Sequence, residues 1–329
     1  MIDWRSFAEL SWEPLLGSDL AKGFGSVRIR EVNQRRGARL SDLSHLLMAL
    51  AISERADVAT GRLKPDLVWR AVARYRRGPG YGERPRIGRI YYADNAWLGL
   101  AAAQEAGLVQ DENPAAMWWR RAEESMRFVD SGVLREGGVG LRLKSEQVSG
   151  TASAAAGCLA LSLQQAPRGA GDRWQFLARD VATFEEHTLR RSDGLLAYSP
   201  GAADRQAPSP TDQGLGVLLR LGLGQEQAAA DLVAAILSFF DARRLWSEPP
   251  IKTAVMLRSL MRYSAQTADS APLAYVDEFL QRLWWQGRDS QGWFVGLPAS
   301  PKPSLSAQAA WAGVLAARAT RPELRAQLW

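Results

Sequence analysis

Cysteine, histidine and lysine are scarce in this sequence, and each scarcity excludes chemistry. The 329 residues contain one Cys and two His. One cysteine leaves no intramolecular disulfide. Three Cys and His residues cannot supply the usual three- or four-ligand zinc set, and iron–sulfur or CxxCH haem attachment is excluded with them. The expectation is therefore no metal and no cofactor. No phosphate-cradling P-loop and no dinucleotide fingerprint is present. No run approaches the roughly 18 apolar residues of a membrane span. Residues 1–16 interrupt any apolar stretch with Asp3, Arg5, Glu9 and Glu13, so they do not read as a signal peptide. The expected location is the cytoplasm, with no membrane partner.

What is present is a globular composition, 47% hydrophobic and 23% charged. The net charge is +6, yet only five of the 41 basic residues are lysine. The arginines are spread along the chain, often near acids, with no basic run of five or more, which reads as solvated helix faces and not as a nucleic-acid surface. The lysines are Lys22, Lys64, Lys144, Lys252 and Lys302.

The apolar pattern is helical almost throughout. Leu40, Leu43, Leu46, Leu47, Leu50 and Ala51 share one face, as do Leu67, Val68, Ala71, Val72 and Tyr75. Further helical segments cover 94–106, 114–131, 148–165, 172–189, 212–223, 225–242, 251–265, 271–286, 304–318 and 321–328, twelve in all. They pair as charge-poor segments rich in small residues, suited to packing on every side, followed by charged ones such as Trp118-Trp119-Arg120-Arg121-Ala122-Glu123-Glu124. Six inner and six outer helices describe an all-α (α/α)6 barrel, one domain over 1–329, with 1–38 a segment the pattern does not assign. An open solenoid or a pair of bundles is the alternative; both chain ends lack a polar capping repeat, which favours a closed ring. Gly–aromatic pieces at 89–92, 137–141, 193–198 and 292–296 suggest short strands at the rim.

The rim carrying the inner-helix N-termini favours carboxylates and anionic ligands. The loops entering those helices hold Tyr91, Tyr92, Asp94, Asn95 and Trp97; Lys144 and Glu146; Asp212 and Gln213; Lys252; and Lys302. Aromatic faces stack on sugar rings, and amides, carboxylates and ammonium groups bind hydroxyls, so the expected ligand is an oligosaccharide or polysaccharide. Asp94, Thr211, Asp212 and Ser304 are equally suited to cap their helices, and Trp97 is equally suited to the core. His45 and His187 read as partly buried helix residues and Cys158 as a small core residue.

Tyr91-Tyr92-Ala93-Asp94-Asn95-Ala96-Trp97 resembles the Tyr-Asp-Asp-Asn-Ala-Trp motif of glycoside hydrolase family 76, the endo-α-1,6-mannanases, six-hairpin glycosidases by fold. Gly137-Gly138-Val139-Gly140-Leu141 with Lys144-Ser145, and Thr211-Asp212-Gln213-Gly214, are similar to two later pieces of that family in the same order. The resemblance runs from about Ile87 to Leu223; the first 80 residues share only the periodicity. It implies an acid/base role for Asp94. The adjacent aspartate that would act as nucleophile is Ala93 here, and alanine cannot form a glycosyl bond. Three outcomes stay open: a glycan-binding protein without catalysis; inverting hydrolysis using Asp94 with Asp212 or Glu146 across about 6.5–9.5 Å; or another reaction on a sugar-like ligand. Tyr91, Tyr92, Asn95, Trp97, Lys144, Gln213, Lys252 and Lys302 are the expected substrate contacts.

Overall fold

The structure is a computed structural model, and it describes residues 2–17, 37–167, 172–202, 206–295 and 303–327. Its elements in order are α1 (Trp4–Gly17), α2 (Leu40–Arg55), α3 (Pro65–Val72), the short hairpin β1 (Arg76–Arg77) and β2 (Gly80–Tyr81), α4 (Tyr92–Ala106), α5 (Glu112–Asp130), α6 (Gly150–Gln164), α7 (Arg173–Phe184) with a π turn Glu185–Leu189, α8 (Pro210–Gly222), α9 (Glu226–Phe239), α10 (Ala242–Ser247), α11 (Pro250–Thr267), α12 (Ala271–Gln286), α13 (Leu305–Ala319) and α14 (Pro322–Arg325).

Six helices form a closed inner ring. α2 packs on α4, α4 on α6, α6 on α8, α8 on α11, α11 on α13, and α13 returns to α2. They are buried on nearly all sides; in α6, Gly150 and every residue from Ala152 to Leu163 is buried. That is what a helix of Ala, Gly, Ser and Leu permits, because it has no wide side chain to hold neighbours apart. Two glycines make the close approaches explicit. A Cβ on Gly214 would lie 2.8 Å from Met256 Cα, and one on Gly313 would lie 3.1 Å from Ala49 Cα. The outer helices α3, α5, α7, α9 and α12 each pack on the inner helix that precedes them, with charge on the far face. The (α/α)6 barrel expected from the pattern is thus present, and the Gly–aromatic rim pieces are single β-bridges (Val133–Val139, Arg190–Leu196, Arg288–Phe294).

The sixth outer helix is a correction. Residues 321–328 were expected to fill that place, but α14 is a single turn. α1 lies along α13 instead. Ala8, Ser11, Trp12 and Leu15, spaced at helical intervals, form its buried face. Gln308 Nε2 donates to the Ser11 carbonyl at 2.6 Å, Trp12 Nε1 donates to Ser53 Oγ at 3.1 Å, and Phe7 stacks on Trp284 at 4.0 Å. The two ends of the chain therefore close the ring together. No helix among the described residues is long and apolar enough to cross a membrane.

Candidate active site

The inner-helix N-termini gather at one mouth, and two adjacent helical positions there do opposite jobs. The third residues of α2, α4, α8 and α11 are Asp42, Asp94, Asp212 and Lys252. The fourth residues of α4, α6, α8 and α13 are Asn95, Ser153, Gln213 and Gln308. One residue turns a helix by about 100°, so the two rows face different ways.

The fourth-residue row faces back into the protein. Asn95 Oδ1 accepts from Tyr81 N at 2.8 Å, while Nδ2 donates to the carbonyls of Tyr81 at 3.0 Å and Tyr91 at 2.7 Å. Gln213 does the same to Leu196, accepting at 2.8 Å and donating at 2.9 Å, with a further bond to the Ser209 carbonyl at 3.2 Å. Ser153 Oγ accepts from Val139 N at 2.8 Å, and Gln308 Oε1 accepts from Phe294 N at 2.8 Å. Each side chain clips the backbone of a short hairpin or bridged segment to its helix, satisfying the groups on that segment's other edge. Asn95 and Gln213 have no exposed surface, so their expected role in touching substrate is corrected: their polar atoms are already engaged by backbone. Tyr92 is corrected likewise. It is buried and stacked on Phe128 at 4.7 Å, holding α4 to α5.

The third-residue row carries the acids. Asp94 is partly exposed, with protein around most of its carboxyl. Burial, and then the negative charges of Glu83 and Asp42, push its carboxyl up to about 7, against the opposing pull of Arg39. Asp42 is buried, accepts from Arg39 N at 2.8 Å and from the Ser306 hydroxyl, and is also raised, chiefly by burial. Glu83 stays partly exposed, 3.7 Å from the Arg39 guanidinium. Its backbone anchors it: Glu83 N donates to Arg89 O at 2.8 Å and Leu40 N donates to Glu83 O at 2.9 Å, laying the loop across the start of α2. Among the described residues no group of three or more acids, cysteines and histidines is arranged to hold a metal ion.

Asp212 is 2% exposed, accepts from Thr151 Oγ1, and has an Oδ2 with no hydrogen-bond partner among the described residues. Burial raises it to about 7, Glu185 adds to the shift and Lys252 opposes it. The charges that shift Asp94 are Glu83, Asp42 and Arg39, and those that shift Asp212 are Glu185 and Lys252. Glu146 and Lys144 are exposed on the 143–149 loop, Lys144 at φ 64°, and Glu146 is not among the charges acting on Asp94. Beside the expected partners Asp212 and Glu146, two further acids act on Asp94: Glu83 and Asp42. Lys252 lies beside Asp212. Tyr91 is partly buried and bridged to Arg142. Lys302 falls outside the described residues. Ser304 caps α13 through Ala307 N at 3.0 Å, whereas Asp94 and Asp212 sit past the cap position.

Beneath the mouth, one turn below Asp42 and Asp94, His45 and Trp97 meet at 5.0 Å. Burial and then the charge of Arg258 push the His45 imidazole down to about 3, so it is neutral at pH 7. His187 is exposed, and Cys158 is buried as expected.

Asp42 and Glu83 are the acids that the sequence motifs missed. Asp42 had a usable signal, because Leu40-Ser41-Asp42 is in the same helical register as the start of α4. Glu83 had none, since only the folded loop brings it to the mouth.

No sequence-family profile matches the chain, and no curated protein matches it in sequence. Solved structures do. A family 76 glycoside hydrolase (mannosidase) from Bacteroides thetaiotaomicron superposes with TM-score 0.80 at 13% identity, covering 96% of this chain and 98% of that one. The α-1,6-mannanase of a Salegentibacter species gives 0.77 at 16% identity, with 96% and 99% covered. An inactive variant of that mannanase, with two adjacent aspartates replaced by alanine, was solved with α-1,6-mannotetrose and gives 0.75 at 16% identity, covering 97% and 99%. With an inner ring closed inside an outer one, this chain has the (α/α)6 fold of the family 76 glycoside hydrolases.

Proposed function

We propose that the protein takes an α-linked, mannose-type oligosaccharide at the Asp94 mouth and hydrolyses it with inversion. The observation that carries this reading is the Asp94 carboxyl, partly exposed and held near pH 7 beside two other acids. A general acid is most effective when its pKa lies near the working pH. Asp94 in its protonated form donates to the leaving glycosidic oxygen. Glu83, on the loop across the mouth and less enclosed than Asp42, takes a proton from the water that attacks the anomeric carbon. The products are two sugars, one with an inverted anomeric centre, and Asp94 and Glu83 end with exchanged protonation states that solvent restores. Ala93 supports this route over a covalent one, since it offers no nucleophile where the resemblance calls for an aspartate. Trp97 and the neutral His45, both buried, form the apolar layer beneath the sugar.

The test is product release from α-1,6-mannooligosaccharides, with the first-formed anomer read by NMR. Asp94→Asn and Glu83→Gln are each expected to lower turnover by about 10²–10⁴-fold. Full activity in Asp94→Asn removes it from the mechanism. The second reading, binding without turnover, is favoured by Ala93 itself. Saturable binding with no product in the wild type, and product on Ala93→Asp, would establish it.

A further inference from the structure

The mouth carries more cations than acids, and most of those cations form no ion pair of their own among the described residues. The loop that carries Glu83 continues as Arg84-Pro85-Arg86-Ile87-Gly88-Arg89 and is pinched by the Arg84–Ile87 bridge, with Arg86 at φ 65°. Arg86 and Arg89 are exposed and Arg84 is partly so. The next loop is tied to it by the Tyr91–Arg142 bridge and adds Arg142 and the exposed Lys144. Arg39 has an acid at 3.7 Å, Glu83, and the charge of Arg84 acts on Asp42; Arg84, Arg86, Arg89, Arg142 and Lys144 form no direct ion pair among the described residues. Like charges on two adjoining loops raise the local positive potential and do not favour the compact state. An arrangement of that kind is explained by a ligand that brings negative charge.

A second observation comes from inside the barrel. Arg258 is 7% exposed, its Nε has no hydrogen-bond partner, and no acid pairs with it among the described residues. Burying a cation without a counter-charge costs several kcal/mol, yet its guanidinium, lowered by burial to about 10, stays protonated at neutral pH. It is the ninth residue of α11, and Asp94 is the third of α4. At about 1.5 Å per residue it lies roughly 9 Å deeper along the ring axis. Its charge reaches His45 on α2, although α11 and α2 are separated in the ring by α13. Arg258 therefore acts across the lumen, under the wall formed by His45 and Trp97.

We propose that the glycan recognised at the Asp94 mouth is anionic, carrying a carboxylate or phosphate, steered by Arg84, Arg86, Arg89, Arg142 and Lys144 on the rim and met in the lumen by Arg258. The proposal rests on the glycan reading above and names the class within it. A rim of guanidiniums matches carboxylate and phosphate oxygens in a bidentate manner that hydroxyls cannot reproduce. The alternative partner for a basic loop that exposes Ile87 at 63% is an anionic membrane surface. The unpaired Arg258 favours the glycan, because a bilayer headgroup cannot descend into the ring.

The experiment is calorimetric titration of the full chain with three trisaccharides of one length: neutral α-1,6-mannotriose, the same sugar bearing a terminal phosphate, and one ending in a uronic acid. At least one charged sugar is expected to bind roughly tenfold or more tightly than the neutral one at low salt, with the advantage shrinking at about 1 M salt. Which charged arm binds separates phosphate from carboxylate. In Arg84→Gln/Arg86→Gln/Arg89→Gln, and separately in Arg258→Met, the charged-to-neutral ratio is expected to fall towards one. The triple change lies on a surface loop, so it tests the proposal even if Arg258→Met does not fold. Equal binding of neutral and charged sugars overturns the proposal and leaves the glycan reading standing. A charged-sugar advantage that survives both variants also overturns it. No binding of any of the three removes the glycan reading as well. Binding of phosphatidylserine vesicles through the same three arginines, without a charged-sugar advantage, assigns the loop to a membrane surface and overturns the proposal.

Discussion

Replacing Asp212 with asparagine is expected to make the protein more stable, and only at neutral and higher pH. The carboxyl is 2% exposed and its folded pKa is about 7, against 3.8 for the free group. A folded pKa above the unfolded one means that the protonated form is the one folding favours. Its contribution is present in full below about pH 4 and is lost as pH rises through about 7. The span is about three units, and each unit corresponds to about 1.4 kcal/mol, so ionised Asp212 costs up to ~4 kcal/mol at pH 8. The substituted asparagine carries no charge at any pH, and its amide oxygen still accepts from Thr151. For a chain of 329 residues the entropy of unfolding is about 0.7 kcal/mol/K. Asp212→Asn should therefore raise the melting temperature by as much as about 6 °C at pH 8 and change it little at pH 4. Urea unfolding at a series of pH values reads the same quantity without relying on reversible heating. A variant that is destabilised at pH 8 would refute the reasoning, because it would mean that ionised Asp212 and Lys252 form a net favourable pair.

Three further outcomes test the architecture. Asn95→Ala removes three hydrogen bonds and strands the buried amide and carbonyl of Tyr81; a loss of about 1–3 kcal/mol per stranded group is expected in urea unfolding, whereas an effect on glycan affinity alone would contradict the clip role. Gly214→Ala places a Cβ 2.8 Å from Met256 Cα, and overpacking of α8 on α11 should cost about 1–3 kcal/mol; an unchanged melting temperature would mean the helices are not this close. Deleting residues 1–17 uncovers the surface that Ala8, Trp12 and Leu15 bury, so the remaining chain should bind a hydrophobic dye and lose its cooperative melt, and a sharp transition at the wild-type temperature would show that α1 is not the sixth outer helix.

The inner ring was legible because an inner helix leaves a compositional trace. The α6 segment from Gly150 to Leu163 contains no charged residue and no aromatic one, which no solvated helix can sustain. The outer ring was legible except at its seam. α1 carries a readable face in Ala8, Trp12 and Leu15, but nothing nearby in sequence identifies its neighbours, which are α13 and Trp284 at the far end of the chain. The residues at the mouth were legible as a group and not by role. Asp94 and Asn95 are adjacent and equally polar, and in sequence both looked suited to touch a sugar. They are separated by one step of about 100° around the helix: Asn95 is turned to the loop at Tyr81 and Asp94 to Glu83 and Asp42.

The sequence by itself determined that this is an all-α chain of alternating inner and outer helices, with acids at the inner N-termini and no cysteine or histidine set to bind zinc. Those properties follow from composition and periodicity, which are local. Tertiary structure alone decided which acids share a neighbourhood. Glu83 comes from a loop, Asp42 from α2 and Asp94 from α4, and electrostatic coupling depends on distance in space and on enclosure. The same is true of the cations. Spread along the chain they looked like solvated faces, and folding gathers five of them on two bridged loops and buries Arg258 without a partner among the described residues, because charge complementarity is settled by which loops meet and not by their order in the chain.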